Sequence, residues 1–89
     1  MTIAFVLCAT DIGKEKRVWK KIIPMDTVKE AHIIYGGYDI VIKVVTNSIE
    51  ELSSVVSRIK EIKGVQSVSS LIASDSYEDQ TRGDKTRIY

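Results

Sequence analysis

Three features of this 89-residue chain predict an α+β fold with elements in the order βαββαβ. Residues 3–9 (IAFVLCA) and 40–45 (IVIKVV) are short apolar runs rich in β-branched residues, which reads as strands buried on both faces. Two amphipathic stretches, residues 14–23 and 49–62, carry apolar positions at helical spacing. The chain also echoes itself: Ile22-Ile23-Pro24 before Val28-Lys29 resembles Ile62-Lys63-Gly64 before Val65-Gln66, giving two strand–helix–strand halves.

Taken in order, the first run should be a central strand, with Cys8 as a small core residue. Residues 10–13 form a turn. Val18, Trp19, Ile22 and Ile23 then make the apolar stripe of a short helix that Pro24 stops. Lys14, Lys16, Arg17, Lys20 and Lys21 cover its remaining surface. A basic helix face without an aromatic platform is a solvated surface rather than a nucleic-acid site.

The second strand, residues 28–35, is interrupted by Lys29, Glu30 and His32, as suits an edge where charge discourages stray pairing. The third strand, residues 40–45, is central. Its Lys43 shares a face with Val41 and Val45 and needs a rim position or an acidic partner. Ser48 and Glu51 form an S-x-x-E capping box at the start of the second helix. Ile49, Leu52, Val55, Val56, Ile59 and Ile62 are its apolar stripe, and Gly64 is placed to end it. Residues 65–73 make the fourth strand. From residue 74 to residue 89 the composition turns polar and aperiodic, which reads as a flexible tail after a domain spanning 1–73.

Right-handed crossovers then put both helices on one face of an antiparallel four-stranded sheet, the ferredoxin-like arrangement, with the first and third strands in the middle. Two helices hide only one face. The central strands are apolar on both, which leaves an oily surface of several hundred Å² to be covered. A core of this size also supplies only about 3–5 kcal/mol by itself. Both points predict a second subunit on the bare face, as in dimeric α+β barrels.

Composition narrows the function classes. A formal charge of +1 provides no global field for a polyphosphate backbone. One cysteine and one histidine build neither an internal disulfide nor an ordinary four-ligand zinc site, and a reducing, cytoplasmic setting is expected. No apolar run approaches the roughly 18 residues that span a bilayer, so no membrane role is expected. No cofactor is implied. His32, Lys43, Asp39 and Tyr38 show no nucleophile–base spacing, so an enzyme is not expected.

The most informative stretch is residues 33–45 (IIYGGYDIVIKVV). Gly36 and Gly37 can take the positive φ angles of a tight hairpin. Their bare amides stand beside the Asp39 carboxylate, a combination that suits a small zwitterion: clustered amides hold a carboxylate, and Asp39 accepts from an ammonium. The same residues also make a sound turn with no ligand at all.

The Y-G-G-Y-D-I-V-I-K-V hairpin, the S-I-E-E-L helix start and the I-K-G-V sequence before the last strand resemble the effector-binding (RAM) domain of Lrp/AsnC transcription regulators. The resemblance covers residues 2–74. It implies dimers formed through the sheets, further assembly into octamers or other rings, and an amino acid bound between dimers. The implied ligand-binding positions are Gly36, Gly37, Tyr38 and Asp39 on the turn, with Ser70 on a neighbour's last strand. Val68 stands where the family often has threonine. With its first strand at Ile3, the chain is expected to lack a helix-turn-helix domain and to act without direct DNA contact, as a sensor or modulator that can associate with a full-length regulator. An amino-acid-binding module of the ACT type, which shares the βαββαβ order and uses the turn near Gly13, is the alternative. A dimeric α+β barrel enzyme is the further one.

Overall fold

The computed structural model describes residues 1–74. Its elements are β1 (Thr2–Thr10), α1 (Glu15–Ile22), β2 (Val28–Ile33), β3 (Ile40–Thr46), α2 (Ile49–Lys60) and β4 (Val65–Ile72). The strands form one antiparallel sheet in the order β2-β3-β1-β4. The two most apolar runs are therefore the two central strands, as their composition requires. The expected tail lies outside the described residues from residue 75 onward.

Strand alternation sorts the side chains into two layers. Ala4, Val6 and Cys8 of β1 and Ile40, Ile42 and Val44 of β3 point toward the helices, where they pack with Val18 and Ile22 of α1 and Leu52, Val55 and Ile59 of α2. Residues of the other parity form the uncovered face. There Phe5 is paired with Lys43 on one side and Leu71 on the other. Phe5 remains 41% exposed and Leu71 56% exposed. The surplus of apolar surface expected from the two central runs is thus present on the face away from the helices.

Local chemistry fixes the helix ends. Ser48 Oγ accepts the Glu51 amide at 3.1 Å, and the Asn47 amide donates to Glu51 Oε1 at 2.7 Å, so the box closes one residue earlier than its usual reciprocal bond. α1 has no side-chain cap and is tied instead by tertiary contacts: the Trp19 indole Nε1–H donates to the Ala31 carbonyl of β2 at 2.8 Å. Trp19 is a packing residue with one polar bond.

Three local expectations need correction. β2 stops at Ile33 rather than continuing to Tyr35. Gly64 does not end α2, whose C-cap is Glu61. It has φ +104 in the turn before β4, and a Cβ there would meet Val18 Cγ2 at 3.2 Å, so both the left-handed backbone and the approach of α1 select glycine. Finally, the α2 stripe is not uniformly core: Ile49 is half-exposed and Val56 only partly covered.

Candidate functional site

The Gly-Gly turn sits at the end of the sheet where β1 gives way to α1. The Ile34 amide donates to the Asp39 carbonyl at 2.8 Å, closing a loop of residues 35–38. This is longer than a two-residue hairpin. Only Gly36 takes positive φ, at +144, whereas Gly37 lies outside the left-handed region. A Cβ at either glycine would meet nothing within 4 Å, so the backbone here borders open space. Tyr35 is 98% exposed and Tyr38 is half-buried.

Asp39 is held from three sides. Its amide donates to the Cys8 carbonyl at 2.9 Å, and its carbonyl takes the Ile34 bond. Its Oδ2 accepts the Thr10 amide at 2.8 Å and the Thr10 hydroxyl at 3.4 Å. Thr10 is buried and lies past Cys8↔Ile40, the last register pair of β1 with β3. The side chain of Asp39 therefore supplies an acceptor where the sheet ladder runs out. Oδ1 accepts no bond among the described residues. The negative charge is felt nearby: burial, and secondarily the Asp39 carboxylate, push the Cys8 thiol up to about 11.

Ser70 is not part of this cluster. It pairs with Val6 on the other edge of β1 and lines a groove between α2 and β4. Within one protomer, β1 thus separates Ser70 from the glycine loop. His32 lies exposed on edge strand β2, bridging to Glu30 Oε1 at 3.1 Å through Nε2. Among the described residues, no group of three His, Cys, Asp or Glu side chains is placed to hold a metal ion, and no helix is long and apolar enough to cross a membrane.

Sequence reading missed two features. The Thr10–Asp39 bond joins positions 29 apart, and neither residue carries a local motif for it. The α2–β4 groove is lined by Ile49, which is half-exposed, and by Val56, which packs only partly against the core, and apolar periodicity does not distinguish either from a core position.

Comparison with known proteins decides the family. Residues 3–82 match the family model described as the Lrp/AsnC ligand binding domain. The chain belongs to the Lrp/AsnC family. The match extends beyond residue 73, where the polar composition marks an expected domain edge. Among curated relatives of this Lrp/AsnC domain, the HTH-type transcriptional regulator FL11 of Pyrococcus abyssi is 29% identical over 79 residues, covering 89% of this chain. This chain spans about half the length of that regulator, 52% of it. Among solved structures, TTHA0845 from Thermus thermophilus aligns with TM-score 0.83 and 30% identity over 89% of this chain and all of the other. The hypothetical protein PHS023 from Pyrococcus horikoshii aligns with TM-score 0.78 and 36% identity, over 86% of this chain and 94% of that one. The Lrp/AsnC assignment makes this a regulatory ligand-binding domain. The relatives being transcription regulators points to a non-enzymatic role.

Proposed function

We propose that this Lrp/AsnC domain is an oligomeric amino-acid sensor that modulates transcription regulation without contacting DNA through the described fold. The observation that carries the reading is the glycine loop: open backbone at Gly36 and Gly37 beside a carboxylate with one oxygen still able to accept. Loop amides take the ligand carboxylate, and Asp39 Oδ1 takes its ammonium, while Oδ2 stays on Thr10. Tyr38 flanks the loop. Ser70 contributes from a neighbouring protomer, since β1 keeps it away from the loop within one chain.

Assembly follows from the uncovered sheet face. Phe5, Leu71, Val41 and Val45 lose water when a second copy packs there, forming the homodimer, and dimers join into an octamer or other ring that brings a neighbour's Ser70 to the loop. A full-length Lrp/AsnC regulator carrying the same domain is a second fitting partner for that face or ring.

The test is calorimetry over the amino acids, with sedimentation to report the assembly. Binding at micromolar to millimolar levels, about −8 to −4 kcal/mol, is expected. Asp39→Asn keeps an acceptor for Thr10 and removes the charge that meets the ammonium, so it should abolish binding while leaving the fold intact. Unchanged binding in that variant would remove Asp39 from the site. The ACT-type alternative would instead make binding sensitive at Gly13, on the β1–α1 turn; the family match favours the loop at Gly36. The exposed position of His32 weakens the barrel-enzyme alternative.

A further inference from the structure

Ile12, at the tip of the β1–α1 turn, is 100% exposed. A single apolar residue on a surface says little by itself. Its mounting says more. The Asp11 amide donates to the Gly64 carbonyl at 2.8 Å, and the Lys14 amide donates to the Asp11 carbonyl at 3.0 Å. Gln66 Nε2 donates to Asp11 Oδ1 at 3.0 Å. The turn is thus pinned to the connection between α2 and β4, and it holds Ile12 out as a fixed knob with little left to order on docking.

The molecule also carries a recess of matching chemistry, the α2–β4 groove. Its volume of about 260 Å³ is below the range of drug-sized pockets but accommodates an aliphatic side chain. Ile49, Leu52, Val56 and Ile72 give it an apolar lining, and Ile49 and Ile72 are each 49% exposed. Lys60, one helical turn beyond Val56, adds a cation, and no acidic side chain lines the groove. Neither Lys60 nor Asp11 has an ion pair among the described residues.

We infer that Ile12 of one copy seats in the α2–β4 groove of a second copy, with Asp11 meeting Lys60. The inference rests on the oligomeric reading above and adds to it the contact that joins one dimer to the next. Burial of Ile12 supplies the hydrophobic gain, and the Asp11–Lys60 pair sets the direction in which the turn enters. Val56 and Lys60 lie about 6 Å apart along the helix axis. The Cα atoms of Ile12 and Asp11 are about 3.8 Å apart, so both contacts form together. Knob and groove are separate surfaces, and each copy offers one of each. The contact therefore repeats from copy to copy until a ring closes. Thr10, two residues before Ile12, carries the Asp39 bond, and Ser70 lines the groove. Seating the knob draws the glycine loop of one copy toward Ser70 of the other, the approach that the proposed amino-acid site requires.

The experiment follows assembly of the whole chain by sedimentation across a concentration series. Ile12→Asp drives a carboxylate into the apolar recess and should weaken the association of dimers at least tenfold. The position is wholly exposed, so circular dichroism should not change. Asp11→Lys and Lys60→Asp should each weaken the same association, and the two together should restore it. For a direct readout, Ile12→Cys and Val56→Cys proteins mixed under mild oxidation should cross-link faster than either protein does alone. Cys8 is buried and stays out of that exchange. Asp39→Asn should keep the assembly whether or not it binds an amino acid, so failure at the glycine loop is told apart from failure of the knob. Assembly unchanged in Ile12→Asp, charge reversals that do not restore one another, or a mixture that cross-links no faster than its components would each overturn the assignment.

Discussion

Asp39 Oδ2 accepts the buried Thr10 amide at 2.8 Å, so the residue proposed to read the ligand also finishes the sheet. A charged acceptor on an otherwise unpartnered backbone donor contributes about 1.5–3 kcal/mol. Asp39→Ala is expected to lower stability by that amount in urea denaturation. Asp39→Asn, which retains a carbonyl oxygen for the amide, should cost less than half as much. Equal stability of all three proteins would show that water replaces the carboxylate.

Cys8 gives a pH dependence of known sign. Its thiol titrates near 9.0 when unfolded and is raised to about 11 in the fold. The neutral form is favoured by folding, so the contribution is complete below pH 9 and is lost as pH climbs toward 11. A shift of that size corresponds to roughly 3 kcal/mol. The stability difference between the parent and Cys8→Ala should therefore shrink across that window. A difference independent of pH would mean the thiol ionises as easily inside as outside. Thiol-labelling reagents should react at neutral pH only as fast as the chain opens.

The two loop glycines should respond differently. Gly36→Ala imposes a side chain on φ +144 and is expected to cost about 1 kcal/mol or more. Gly37→Ala meets no atoms and no left-handed backbone, so thermal unfolding should move little, within about 0.5 kcal/mol. If that second variant nonetheless weakens amino-acid binding, the methyl group is blocking ligand rather than fold.

Phe5 sits at the centre of the uncovered face, beside Lys43 and Leu71. Phe5→Asp places a carboxylate where a second copy is proposed to pack. Sedimentation should register smaller species, while the helix-side core, built from residues of the other parity, remains folded by circular dichroism. An unaltered assembly would move the interface elsewhere.

Ser48→Ala removes the acceptor for the Glu51 amide. A loss of about 1 kcal/mol is expected in chemical denaturation, with no change in assembly.

The fold was readable because its signals are local or periodic. Apolar runs too short for helices became β1 and β3, the charged second strand became an edge, and Ser48 announced α2. The exceptions have physical reasons. Gly-Gly is compatible with several hairpin lengths, and the loop length was decided by the Ile34–Asp39 bond. Gly64 looked like a helix terminator but answers to the approach of Val18 from another element. At the candidate site, Gly36, Gly37 and Asp39 could be named from the residues and the resemblance, and β1 and β3 take the central places expected of them. The Thr10–Asp39 bond could not be read, because it joins two positions 29 apart with no local motif.

Trp19, the chain's single tryptophan, is fastened through its indole N–H to the carbonyl of Ala31. It is thus an intrinsic fluorophore stationed at the seam between a helix and the outermost strand. If that border peels away before the interior melts, emission will shift to the red while the far-ultraviolet ellipticity still holds, and the first step of opening becomes visible without any label.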